Sequence, residues 1–161
     1  MSTVSIQPAE LNNVAHQQAI LTLLDMYARE PIIDGNGIRE EVRENLIDGL
    51  RAQPQGHHFL AYQDDTAIGM AICFQGFSTF HAKPLLNIHD LAVHRDYRGR
   101  GVGRKLLAAV EQLARQLGCC KLTLEVKHEN TGAKRLYERI GFDAGGPPGA
   151  EVAFMTKPLG D

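Results

Sequence analysis

In the stretch RGRGVGRKLL, Gly99, Gly101 and Gly103 alternate with Arg98, Arg100, Val102 and Arg104, directly ahead of Leu106 and Leu107. Five basic residues stand between Arg95 and Lys105, in a chain whose formal charge is −2. Glycines let a ligand approach the peptide N–H groups closely. A helix beginning after them adds unpaired N–H groups and about half a positive charge at its N-terminus. The spacing therefore predicts a site for a phosphate-bearing ligand at this loop. The alternative is a flexible turn with solvated cations, which needs fewer glycines than this stretch has.

The kind of phosphate is narrowed by what the loop lacks. A P-loop requires Gly-Lys followed by Ser or Thr, whereas Gly103 is followed by Arg104, Lys105 and Leu106, which disfavours ATP and GTP. A dinucleotide fingerprint requires G-x-G-x-x-G, but counting from Gly101 the third position is Leu106, and from Gly99 it is Arg104. Glu125 stands where a ribose-binding acid would, so a nicotinamide-dependent oxidoreductase is kept as an alternative.

These residues must be held by regular elements. LLNIHDLAV reads as a strand leading into the loop. Val102, Leu106, Leu107, Val110, Leu113, Ala114 and Leu117 form one apolar stripe of the helix after it, which ends at Gly118. CKLTLEV alternates as a strand. Asn130 or Thr131 then caps a helix carrying Ala133, Leu136, Tyr137 and Ile140 and closed by Gly141. Upstream, VSIQPAE reads as a first strand, with helices over Ala15–Tyr27 and Ile38–Ala52. HHFLAYQ and TAIGMAICF form a hairpin about Asp64 and Asp65, and GFSTFHAKP reads as a loop. AGGPPG is a further loop and EVAFMT a last strand. Strands and helices alternate in the second half, so parallel neighbours are expected there and a mixed sheet overall, in an α/β fold.

At 161 residues the chain is the length of one domain, taken as 1–161. Its charge argues against general nucleic-acid binding. MSTVSIQPAEL lacks a basic flank and an apolar h-region, and no apolar run is long enough to span a bilayer, so a soluble cytoplasmic protein with no membrane partner is expected. Cys73, Cys119 and Cys120 have no disulfide or zinc spacing, and the adjacent pair is read as the start of a buried strand. His57 and His58 are read as solvated. His89 and His94 differ by an odd number on a strand and should face oppositely, so no metal site is expected.

From Asn87 to Phe142 the chain resembles the acetyl-CoA-binding core of the GNAT superfamily of N-acetyltransferases. The carriers are the strand IHDLAV, the spacer HRDY, the loop RGRGVG with Arg98-x-x-Gly101-x-Gly103, the strand KLTLEV, and NTGAKRLYERIGF. The resemblance implies a single domain with a mixed, mostly antiparallel sheet, a splayed parallel strand pair and flanking helices. It implies that the N–H groups of Arg98, Gly99, Arg100, Gly101, Val102, Gly103 and Arg104 hold the coenzyme A diphosphate and that the pantetheine arm lies along the main chain of Leu91, Ala92 and Val93. A backbone N–H near Leu91 would then stabilise the thioester oxyanion.

By the same resemblance Tyr137 is the general acid and Asn130 a cofactor contact; by periodicity alone Tyr137 is a core aromatic. GFSTFHAKPLLNIHDLAV is similar to the diamine acetyltransferase branch, with His89 where that branch carries a glutamate, and Asp90 retained. His89 is read as a base or relay, or as a structural or substrate-contacting group; Asp90 is read likewise, or as orienting backbone. Asp34, Glu40, Glu41, Glu44 and Asp48 lie where relatives build part of the acceptor pocket, or form the wet face of the second helix. The implied partners are acetyl-CoA as cosubstrate, a small amine as acceptor and a second copy in a homodimer, with no metal. A non-catalytic acyl-CoA-binding or sensory module is the competing class.

Overall fold

The computed structural model describes residues 2–145 and 152–160. The first element is strand β1 (Val4–Pro8), followed by helices α1 (Val14–Ala28) and α2 (Glu40–Arg51). Strands β2 (Gly56–Gln63), β3 (Thr66–Ser78) and β4 (Lys83–Val93) come next. A 3₁₀ turn at Arg95–Tyr97 leads to α3 (Val102–Gln116), then β5 (Lys121–Lys127), α4 (Thr131–Ile140), β6 (Asp143–Gly145) and β7 (Val152–Pro158). The strands form one sheet in the order β1-β2-β3-β4-β5-β7-β6, in which β4 and β5 are the parallel pair and the other neighbours are antiparallel. None of the helices of the described residues is long and apolar enough to cross a membrane.

Each face of the sheet has its own core. Val102, Leu106, Leu107, Val110 and Ala114 of α3 pack with Ala71, Leu86, Ile88 and Leu124 of the strands and with Tyr137 of α4. On the other face Ile20, Leu21 and Leu23 of α1 and Ile47 and Leu50 of α2 cover Leu60, Met70, Ile72 and Ala92. Burying each such side chain contributes about 1.5–3 kcal/mol, which fixes both helical layers on the sheet. Local signals set the helix ends. The Asn13 side-chain oxygen accepts the His16 N–H at 3.2 Å, and Gly118 and Gly141 adopt φ of +74° and +108° just past α3 and α4.

Several expectations need correction. The loop expected over GFSTFHAKP is four residues, 79–82, because β3 runs on to Ser78 and β4 begins at Lys83. Cys119 is buried and Cys120 half-buried, but both lie in the turn before β5 instead of starting it. His58 is buried, edge-on to Phe74 with ring centroids 5.6 Å apart, and burial pushes its pKa down to about 4. Parallel pairing is confined to one strand pair, and the short β6 carries no alternation that predicts it. The expected AGGPPG loop runs into residues 146–150, and Glu151 begins the expected last strand; these lie outside the described residues.

The largest departure is in β4. Cys73 pairs with Ile88 and Ile72 with Asp90, so His89 is an extra residue in that ladder, a β-bulge. The bulge switches the alternation. Leu86 and Ile88 before it, and Leu91 and Val93 after it, all pack on the α3 core, while Ala92 joins the α1–α2 core. A period of two read straight through IHDLAV puts Ile88, Asp90 and Ala92 on one face, which is wrong beyond His89. The same bulge bends β4 away from β5. Pairing with β5 spans only Leu86, Asn87 and Ile88, although β4 continues to Val93 and β5 to Lys127.

Candidate acetyl-CoA site

The splayed strands open a cavity of about 640 Å³ between β4, the start of α3 and α4. One wall is the main chain of β4. The His94 N–H donates to the Ile68 carbonyl at 2.8 Å, which sets the alternation of the β3–β4 ladder. Residues that exchange bonds with β3 alternate with residues that do not, so Asp90 and Ala92 face β3 and Leu91 and Val93 turn their N–H and C=O groups towards the gap. The ladder with β5 has already stopped at Ile88, so those groups meet the cavity instead of a strand.

The second wall is the glycine loop. Gly99 and Gly101 have φ of +74° and +80°, the left-handed region that other residues enter at a cost. The first N–H of α3 to find a helical acceptor is that of Lys105, which donates to the Gly101 carbonyl at 3.1 Å. Among the described residues no acceptor takes the N–H groups of Gly99 through Arg104, and no side chain caps the helix. A concave set of unpaired N–H groups at the end of a 15-residue helix suits a diphosphate. Gly103 has a different task. A Cβ there would come 3.1 Å from Leu136 Cδ2, so this glycine lets α3 and α4 pack closely.

Arg98 is occupied by protein. Its Nε donates to the Val93 carbonyl at 3.0 Å and its Nη2 to Glu30 Oε1 at 2.8 Å, which ties the loop to the end of β4 and to the segment after α1. Arg100 lies outside the cavity, with its guanidinium 5.4 Å from the centre of the Tyr97 ring. Arg104 and Arg139 line the cavity and have no acidic partner among the described residues.

Asn130 Oδ1 accepts the Ala133 N–H at 3.3 Å and caps α4, while Asn130 also lines the cavity. On the next turns of that helix Tyr137 is buried, edge-on to Phe142 with centroids 5.8 Å apart. Its hydroxyl has no hydrogen-bond partner among the described residues, and burial first, then the proximity of Tyr27, pushes its pKa up. At neutral pH it is a phenol with a proton to give.

The cavity thus gathers Leu91, Ala92, Val93, Arg98, Gly99, Gly101, Val102, Gly103, Arg104, Asn130 and Tyr137 from the sequence expectation. His89, Asp90 and Arg100 are not among its lining residues. His89 is exposed, edge-on to Phe74 at 5.8 Å. Asp90 is half-buried; burial raises its carboxyl pKa and His89 acts against that, while burial first and then the Asp90 carboxylate raise the phenol pKa of Tyr27. Phe74 and Tyr27 both pack on the α1–α2 core, so the bulge brings His89 and Asp90 to that one face. Sequence reasoning missed Tyr27, Glu30, Ile32 and Ile33 as lining residues. Tyr27 was visible in the α1 stripe, but the other three sit in an irregular turn with no periodic signal. No group of three His, Cys, Asp or Glu side chains able to hold a metal occurs among the described residues.

A sequence model described as the acetyltransferase (GNAT) family matches residues 20–142. The Uncharacterized N-acetyltransferase YycN of Bacillus subtilis is 44% identical over a stretch that is 34% of this chain and 35% of its own length. Thialysine N-epsilon-acetyltransferase of Bos taurus is 30% identical over 88% of this chain and 85% of its own. Among solved structures, yncA from Salmonella typhimurium with its cofactor acetyl-CoA superposes with a TM-score of 0.75 at 20% identity, covering 98% of this chain and 95% of that one.

Proposed function

This chain belongs to the acetyltransferase (GNAT) family, and we propose that it moves the acetyl group of acetyl-CoA directly onto the primary amine of a small molecule. The observation that carries the reading is the row of unpaired N–H groups from Gly99 to Arg104 opening into the same cavity as the Tyr137 hydroxyl. In this reading those N–H groups hold the diphosphate, and Arg104 and Arg139 supply the nearby positive charge. The outward-turned Leu91 carbonyl and Val93 N–H pair with the pantetheine amides, as a strand would, while the Val93 carbonyl keeps its bond from Arg98.

The thioester carbonyl then lies at the Leu91 N–H, a donor aimed at the oxygen that becomes negative in the tetrahedral intermediate. The amine nitrogen bonds to the acetyl carbon, the carbon–sulfur bond breaks, Tyr137 gives its proton to the departing thiolate, and the phenolate so formed takes back the second proton that the nitrogen sheds as it becomes the amide. An alkylammonium has a pKa of about 10, so the acceptor must first lose a proton. Asp90 takes it on the Tyr27 side, helped by the raised proton affinity that burial confers, and His89 passes it to solvent. The bovine relative, named for thialysine, supports an amine on a lysine-like chain as the first acceptor to test. A homodimer and a domain spanning 1–161 complete the reading, and sedimentation measures the first.

The test is thiol release from acetyl-CoA across a panel of thialysine, lysine, polyamines and amino acids. Acetylation of at least one amine, dependent on Tyr137, is expected. Tight acetyl-CoA binding with no transfer to any amine favours the acyl-CoA-binding module instead.

A further inference from the structure

The turn between α1 and α2 is fastened at both sides of the splayed gap. Arg98, in the glycine loop at the end of β4, donates to Glu30 Oε1 at 2.8 Å. Lys127, the last residue of β5, donates from Nζ to the Ile33 carbonyl at 3.0 Å. Glu30, Ile32 and Ile33 line the cavity between these two points. The turn itself is compact: the N–H groups of Ile33 and Asp34 donate to the Glu30 carbonyl at 2.9 and 3.2 Å, and that of Gly35 to the Ala28 carbonyl at 2.9 Å. Its far end is fixed by Asp25, whose Oδ1 accepts the Ile38 N–H at 3.0 Å. Segment 29–39 therefore runs as a strap across the open end of the gap between β4 and β5, and the residue that holds it at the β4 side is part of the phosphate loop.

We propose that Glu30 is a positioning residue that makes occupancy of the glycine loop order the acceptor-side wall, by way of Arg98. This rests on the reading that the loop holds the coenzyme A diphosphate. An exposed ion pair is worth little while both partners must be immobilised to form it. In the free protein the Arg98 side chain is carried by a loop with unpaired N–H groups and two left-handed glycines. Once a diphosphate ties those N–H groups down, one partner of the pair is already fixed, and the remaining entropy cost of closing it falls. The Arg98–Glu30 bond then gains strength, and the strap is pulled against the cavity. The anion itself is held by the loop, so Glu30 acts on cofactor affinity only through its coupling to the strap. By linkage, whatever orders the strap favours the loaded loop to the same degree.

The experiment is amide hydrogen exchange with and without saturating coenzyme A, on the wild-type chain and on E30Q, with coenzyme A affinity measured by calorimetry. The reporters are the Ile33, Asp34 and Gly35 amides of the strap and the amides of 99–105 of the loop. Coenzyme A is expected to slow exchange at both segments in the wild type. In E30Q it should slow exchange at 99–105 alone, and the coenzyme A dissociation constant should rise by the same factor as the strap protection that is lost. R98M, which has no side-chain donor for Glu30 or for the Val93 carbonyl, should uncouple the strap in the same way. Slowing of the strap that is equal in E30Q, or no slowing of the strap in the wild type while 99–105 responds, overturns the proposal. No response at 99–105 in either chain removes the cofactor site and the proposal with it.

Discussion

The cavity has two walls of different construction. On the β4–α3 side the ligand-facing groups are main-chain atoms of Leu91, Val93 and residues 99–104, aimed by a strand ladder, two left-handed glycines and a helix anchored through Val102 and Leu106. On the α1–α2 side they are side chains of Tyr27, Glu30, Ile32 and Ile33, and the turn that carries the last three is fastened by Arg98 and Lys127 from distant parts of the chain. Main-chain recognition leaves a local signature, since glycine spacing and helix starts are visible in a short window. Recognition by side chains held across the fold leaves none. In the proposed reading the first wall suits a ligand shared by many proteins, and the second is where this chain would define its own acceptor.

The contrast can be broken most sharply at Tyr137, whose buried phenol serves both ligands in the proposed reading. Tyr137→Phe is expected to lower kcat by about 100-fold or more while leaving coenzyme A affinity within about twofold, as loss of a general acid does; an unchanged kcat removes the residue from proton transfer. Gly101→Val is the next largest change and should act on the first wall alone. A φ of +80° imposes strain on any β-branched residue, and strain on the order of 1–3 kcal/mol at the binding loop corresponds to roughly 5- to 150-fold weaker coenzyme A binding. Wild-type affinity in that variant would mean that the diphosphate lies elsewhere.

Asp90→Asn should act on the acceptor side, lowering kcat/KM for the amine by about tenfold with cofactor affinity preserved. Burial raises the Asp90 pKa, so activity should fall with acid at a pH above the ordinary carboxylate range, and that acidic limb should vanish in the variant. A limb that persists assigns the titration to another group.

The smallest effect is at Asp25. The hydrogen bond from Arg29, then that from the Ile38 N–H, hold its carboxyl below the ordinary range. A depressed folded value means that its contribution is present above the usual Asp pKa of about 3.9 and is lost as pH falls through the folded value. Acid should therefore loosen the strap before the loop, and exchange measured below about pH 4 should rise first at Ile38. Simultaneous loosening of both walls would deny that they are separate.

Most of the fold and the cofactor half of the site were legible in the sequence. The α3 stripe, the alternation of KLTLEV, the Asp64–Asp65 hairpin and the cap at Asn130 all depend on neighbours in the chain. The bulge at His89 was not legible, because its alternation looks regular until the pairing with Ile72 and Cys73 is known. That one insertion decides which face Asp90 takes and how far β4 splays. Gly103 also serves the close contact with Leu136, and the Arg98 side chain braces Val93 and Glu30, and neither role shows in the spacing of the loop. Partners from distant parts of the chain cannot be read from a local pattern.

The claim beneath the whole account is that the peptide N–H groups from Gly99 to Arg104 take the diphosphate of coenzyme A. A backbone amide NMR titration with coenzyme A, paired with one using pantetheine, tests it directly. Shifts of the 99–104 amides with coenzyme A and not with pantetheine are predicted. Saturable coenzyme A binding that leaves those amides unmoved would contradict it.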